Sequence, residues 1–286
     1  MDDTLKVVTV SLFALLSLHF SLERRARDDA TRQVNQAFHS TGSLHSTVES
    51  RGMLGMLAND VWSVDLYSDH QTSDQLPFYL YPRSGWKGHI RHLRLHVTHF
   101  TLSGFPVDRL EADIPFVTYD LGHAMYHDRL HIRSSGIGPA EVQVGRAGLE
   151  TFILTKYPKL VKAIQVGFQD GKLTIQGKLN LLGGETPFSA VGFLAPREGR
   201  YLDFLEPELT LNGKPASPEF TAGVLKQLNP VLDTERDLHL NGFFTLTRVE
   251  LTDDSIVIKG EASVPPASQR LGNPAPNGGS PPAPPP

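Results

Sequence analysis

An alternation of apolar and polar residues at every second position, returning again and again through the middle of the chain, does most to narrow the fold. It runs through residues 61–67, with Trp62, Val64 and Leu66 on one side. It returns at 93–97, 140–144, 173–175, 209–211, 238–240, 244–246 and 256–258. Successive side chains of a strand point to opposite faces, so each stretch reads as a strand with one face buried. Many short strands joined by short connections imply antiparallel sheets. Between His89 and Leu102 the apolar positions are odd at Leu93, Leu95 and Val97 but even at Phe100 and Leu102. That change of parity predicts a β-bulge near Thr98.

Two segments carry helical spacing instead. Leu149, Phe152, Ile153, Tyr157, Leu160, Val161 and Ile164 share one side of a helical repeat, kinked or ended in its first part by Pro158. The second helix opens with Ser217 as N-cap and Pro218 at its first position. It places Phe220, Val224, Leu225 and Leu228 on one face and stops before Pro230. Each helix leads to a hairpin, 164–179 through Asp170-Gly171 and 247–262 through Asp253-Asp254. The hairpins end alike, in LTIQGK from Leu173 and IVIKGE from Ile256. Residues 149–179 and 220–262 therefore read as two copies of a helix-plus-hairpin repeat. The fold class expected is α+β, with curved antiparallel sheets packed around helices in one domain over 42–264.

The ends have a different character. Residues 7–22, VVTVSLFALLSLHFSL, lack a polar face, so 1–22 is expected to be a membrane anchor or signal segment. Asp2, Asp3 and Lys6 precede the run and Arg24, Arg25 and Arg27 follow it, a charge order opposite to that of an exported domain. Residues 23–41 are polar and suit a stalk helix. From Pro265 the chain reads PPASQRLGNPAPNGGSPPAPPP; no apolar face can form, and 265–286 is expected to be a disordered Pro-rich tail.

The search for chemistry is mostly an exclusion. A net charge of −4 supplies no basic field for nucleic acid, and the absence of cysteine removes disulfides, thiolate metal sites and cysteine nucleophiles. No G-x-S-x-G, H-E-x-x-H or Walker-type motif occurs. Gly136-Ile137-Gly138 resembles a phosphate loop until Pro139 stands where a helix should start. His123, His127 and His131 are spaced by four as metal ligands on a helix can be, yet Leu130-His131-Ile132 reads as the start of a strand. His92 and His96, with Arg94 between, fall on the polar face of one strand, a solvated surface or a weak cationic patch for lipid head groups. Catalytic residues, metal ligands and cofactors are therefore expected to be none. What remains is a surplus of apolar side chains, and a curved sheet around paired helices can leave an elongated apolar cavity suited to an acyl chain.

Residues 52–57 (GMLGML), Leu102-Ser103-Gly104, the run from Ala140 to Leu160, Gly213-Lys214-Pro215 and the closing IVIKG from Ile256 resemble the LmeA-type family of bacterial envelope proteins. The resemblance implies an exported or membrane-anchored protein that binds phospholipid. It also implies a fold similar to the tubular (TULIP-like) lipid-binding architecture, with long curved sheets around a helix. Taken with the residues, the expected function is a non-catalytic phospholipid-binding protein of the cell envelope, partnered by phospholipid and membrane. Its acyl chain would lie against Phe152, Tyr157, Phe220 and Leu225, which face into the domain from the two helices. The alternative is a solid-cored structural or interaction module of the envelope.

Overall fold

The computed structural model describes residues 43–50, 60–73, 80–81, 85–122, 131–181, 184–240 and 242–266. The segment 1–22, the stalk 23–41, the GMLGML stretch, His123, His127 and the tail from 267 onward lie outside the described residues.

The first sheet is built from β1 (Ser43–Ser50), β2 (Asp60–Asp69), β3 (Thr72–Ser73), β4 (Lys87–Leu102), β5 (Phe105–Asp120), β6 (Ile132–Ser134) and β7 (Gly138–Gly145). Helix α1 (Arg146–Lys156) leads to β8 (Val161–Gln169), β9 (Lys172–Leu181), β10 (Gly184–Arg197), β11 (Tyr201–Leu211) and β12 (Lys214–Pro215) of the second sheet. Helix α2 (Pro218–Leu228), β13 (Leu232–Asp233), β14 (Phe244–Leu251) and β15 (Ser255–Ala262) complete the described chain. The first sheet has the order β1-β2-β4-β5-β7-β15-β14, with β3 on β4 and β6 on β5. The second has the order β12-β11-β10-β9-β8, with β13 on β11. Both sheets are open. The expected α+β class holds in having sheets and two helices, but the helices are short and strands dominate.

The expected repeat recurs in order, helix and then hairpin, and the two hairpins trade places. Strands β4, β5 and β7 precede α1 in the first sheet, while the hairpin after α1 (β8–β9) joins the second. Strands β10 to β12 precede α2 in the second sheet, while the hairpin after α2 (β14–β15) pairs with β7 in the first. The shared glycines mark a shared bend. The edge strand of each hairpin carries a bulge, between Val161 and Ala163 in β8 and between Leu246 and Arg248 in β14. A Cβ at Gly177 would fall 2.0 Å from the Ala163 carbonyl oxygen, and one at Gly260 would fall 2.2 Å from that of Thr245. Only glycine allows the backbones so close. The connections differ, since α2 reaches its hairpin by way of β13 and a long loop.

Four expectations need correction. The first sheet is mixed, because β2 and β3 both run parallel to β4. Residues 238–240 form no strand: Leu238 and Leu240 are buried from a loop turned by His239 at φ 51°. The parity switch near Thr98 is not a bulge, for the β4–β5 register is the same on both sides of it, Thr98 opposite Arg109 and Phe100 opposite Val107. His99, at φ 46°, turns the strand over without adding a residue. Finally, α1 ends at Lys156, and Val161 and Ile164 belong to β8. The β8 bulge places these two on one face three residues apart, which imitates helical spacing.

The core is a cluster of buried side chains drawn from both sheets and α1. Leu93, Ile114, Val117 and Val144 are wholly buried, each worth about 1.5–3 kcal/mol. Helix α1 touches β5 and β7 of one sheet and β8 of the other, so it seals the junction between them. Gly138 opens β7 where a Cβ would meet the Asp113 carbonyl oxygen at 1.9 Å, a strand-packing glycine with no phosphate role. At the far end Pro265 is buried and its carbonyl accepts the Leu80 N–H at 2.8 Å. Among the described residues no helix is long and apolar enough to cross a membrane.

Candidate functional site

Helix α2 crosses the second sheet without sinking into it. Ser217 accepts the Phe220 N–H at 3.2 Å, Pro218 supplies a preset helical φ, and Glu219 and Lys226 suit the two ends of the helix dipole. Those local devices hold a helix that has no buried residue. Its apolar face still points inward, and beneath it lies a cavity of about 410 Å³.

The cavity is apolar on nearly every side. Val161, Ile164, Ile175 and Leu179 of β8 and β9 form one wall, and Phe188, Ala190, Phe204 and Leu209 of β10 and β11 continue it. Phe220, Val224, Leu225 and Leu228 of α2 form the roof, and Ile153, Tyr157 and Leu160 close the side toward α1. The β8 bulge and the register shift of β10–β11 near Val191 and Phe193 bend these strands around the space. The polar side chains of the lining are Glu219, Thr221 and Gln227 on α2 and the phenol of Tyr157.

One end adjoins a wider, more open recess of about 490 Å³, bounded by Lys156, Tyr157, Pro158, Lys159, Leu160 and Gln227. Tyr157, Leu160 and Gln227 belong to both spaces, so the recess is the mouth of the apolar groove. The mouth is pinned from both helices. Tyr157 donates to the Leu228 carbonyl at 3.3 Å, and Lys156 donates to the Val231 carbonyl at 2.8 Å and to the Asp237 carboxylate at 2.5 Å. Burial pulls the Lys156 ammonium below the usual lysine range, although Asp237 pushes the other way. Burial also acts to raise Asp237, but hydrogen bonds from Lys156, the Asp233 N–H and Arg236 outweigh it and hold the carboxyl below the usual range. The two stand as an ion pair, with burial opposing the charged form of each. Lys159 is exposed at the rim and has no ion-pair partner among the described residues.

Of the four side chains expected to line a cavity, Tyr157, Phe220 and Leu225 surround this one. Phe152 does not. It packs edge-on against Phe105, ring centroids 4.6 Å apart, and helps to fill the core until only about 20 Å³ of space is left there. Helix geometry explains the division: Ile153 and Tyr157, four apart, face the groove, while Leu149 and Phe152 face β5 and β7. Missing from the sequence reading were Val161 and Ile164 as strand walls and the lysines of the mouth. The exposed Lys162 and Ala163 between Val161 and Ile164 were the available signal of a bulge.

His131 immediately precedes β6, close to the strand start expected at Leu130-His131-Ile132, and its ring stacks on that of Tyr81. His92 and His96 occupy the outer face of β4, where His92 pairs with Asp113 at 3.0 Å.

Residues 86–261 match a family model described as LmeA-like phospholipid-binding. The matched span opens just before β4 and ends in β15, so it takes in both helices, the groove and its mouth. No curated protein and no solved structure matches the chain.

Proposed function

Since this chain belongs to the LmeA-like phospholipid-binding family, we propose that it holds one phospholipid with an acyl chain in the groove beneath α2 and its phosphate at the mouth, beside Lys159. The observation that carries this reading is the apolar cavity of about 410 Å³ roofed by a helix with no buried residue of its own. Ligand pockets commonly fall between about 300 and 1,000 Å³, mostly apolar with a few polar groups that fix orientation. Ten buried methylenes at about 0.8 kcal/mol each supply the free energy of micromolar binding, before ordering costs are subtracted. The bent second sheet, with α2 across it, is the part that supports a likeness to tubular lipid-binding folds. We read the protein as a holder or carrier of lipid with no covalent step, tethered to the envelope membrane through residues 1–22 with 42–264 as the binding domain.

The experiment is organic extraction of the purified full-length protein followed by mass spectrometry, for the native chain and for Leu225→Asp. Phospholipid should accompany the native protein, and the variant should retain at least about tenfold less, since a carboxylate in the roof opposes burial of the chain. Lys159→Glu should shift the bound mixture away from anionic head groups. Absence of phospholipid from the native protein, with equal results for Leu225→Asp, would mean that the groove is not a lipid site and would favour a solid-cored envelope module.

A further inference from the structure

The outer face of the first sheet carries a cluster with no part in the groove. His70 follows β2 and His99 lies in β4, side by side where these strands pair in parallel and Asp69 stands opposite Thr98. Both histidines are left-handed, φ 54° and 46°, a region that histidine enters more readily than most residues. At His99 this conformation breaks the pleat that buries Leu93, Leu95 and Val97, and the ring turns out to solvent beside His70. The two rings stack with centroids 5.0 Å apart. Their Nδ1 atoms share one carboxylate, His70 at 2.8 Å from Asp69 Oδ2 and His99 at 3.1 Å from Oδ1. Thr98 Oγ1 donates to the same Oδ1 at 2.7 Å and fixes its direction.

We propose that Asp69, His70 and His99 bind a divalent first-row transition metal, Zn²⁺ in particular, with solvent completing its coordination. Two imidazoles and one carboxylate suit zinc or copper better than calcium or magnesium, which take oxygen ligands. Bonds of about 2.0–2.2 Å hold ligand atoms roughly 3–3.5 Å apart. Both histidine–carboxylate distances are already near that separation, and all three donor atoms lie within 4.8 Å of one another. The side chains of His70 and His99 are 71% and 63% exposed, so their rings can rotate to close the remainder. The metal takes the place of any hydrogen on Nδ1, each ring then carrying its proton on Nε2. Thr98 becomes the outer partner that orients the carboxylate. Elsewhere on this face His92 and His96 each approach a carboxylate, but among the described residues this is the one group of histidine and acidic side chains close enough to share an ion. Bound there, the metal clips the end of β2 to β4 at the point where the pleat breaks.

The test is calorimetric titration of metal-free full-length protein with Zn²⁺, and with Co²⁺ to read the ligand field in the visible spectrum. One ion per chain is expected. His70→Asn and His99→Asn, chosen because asparagine tolerates a left-handed backbone, should each weaken binding at least about tenfold. Thr98→Val should weaken it by a smaller factor at unchanged stoichiometry, and the His92→Asn/His96→Asn double variant should bind like the native chain. The site is refuted if the native protein gives neither heat nor a cobalt spectrum. It is equally refuted if binding survives in a His70→Asn/His99→Asn double variant, or if loss of His92 and His96 abolishes it.

Discussion

Helices α1 and α2 have the same length, eleven residues, and the same place in the repeat, yet one is core and the other is roof. Helix α1 buries Gly148, Leu149, Phe152 and Ile153, but it begins at Gly145 with no side-chain cap and no acidic residue in its first turn. Helix α2 buries nothing and has every local aid: a Ser cap, a Pro at its start, Glu219 early and Lys226 late. Helical stability comes from tertiary packing or from local signals, and a helix deprived of the first depends on the second. A well-capped amphipathic helix that stays unburied above an apolar cavity has a face awaiting something else. The difference separates the solid part of the molecule from the hollow part.

The largest effect should come from the solid side. Phe152→Ala removes a ring that packs edge-on against Phe105 in the filled core and should cost about 3–5 kcal/mol of unfolding free energy in denaturant. Phe220→Ala takes the same ring from a half-buried place over an existing cavity, and about 1 kcal/mol or less is expected. Equal losses would mean that α2 is core in solution and would remove the ground for a groove.

Next in size is the clamp where the two regions meet. The side chains of Lys156 and Asp237 are 14% and 11% exposed, so Asp237→Asn strands a lysine in a poorly solvated place and should cost about 2–3 kcal/mol. The sign of its pH dependence follows from the aspartate. Its folded pKa lies below the unfolded value of about 3.9, so its contribution is complete above that pH and is lost as pH falls through the folded value. The gap in Tm between native protein and Asp237→Asn should therefore be flat from neutral pH to about 5 and narrow only below about 4. A gap that closed between pH 7 and 5 would place the clamp's energy elsewhere.

The same comparison explains how much was legible in the sequence. Helix α2 could be read from Ser217, Pro218 and Pro230 because its information is local. Helix α1 was overextended because its end is set by tertiary structure, and because the β8 bulge put Val161 and Ile164 at a helical interval. Period-two alternation located most strands, since one face of each is buried, but it failed at Leu238 and Leu240, which fill the core from a loop. It could not show that β2 runs parallel to β4, because pairing direction leaves no mark on alternation. Tyr157, Phe220 and Leu225 were legible as inward-facing apolar residues. Phe152 met the same criterion, and only the packing around Phe105 tells a core face from a cavity face. The Asp69–His70–His99 cluster was hidden because two backbone reversals on neighbouring strands create it.

The smallest effect probes the roof itself. Ser217→Ala deletes the hydroxyl that accepts the Phe220 N–H, a change worth about 1 kcal/mol of helix stability. In a buried helix that loss would disappear into global unfolding. In α2 it should instead appear as local opening, because the helix has no buried residue and little packing couples it to the sheet below, chiefly to β11. Amide exchange across 218–228 should accelerate about fivefold in the variant, while amides of β4, β5 and β7 keep their native rates. If α2 covers a lipid, release should quicken by a similar factor, because the roof must lift for the chain to leave. With lipid bound, the exchange difference should shrink, since a chain in the groove gives the apolar face of α2 the contact that the fold withholds. Uniform acceleration across both sheets would show instead that α2 opens only with the whole domain, which would make roof and core a single cooperative unit.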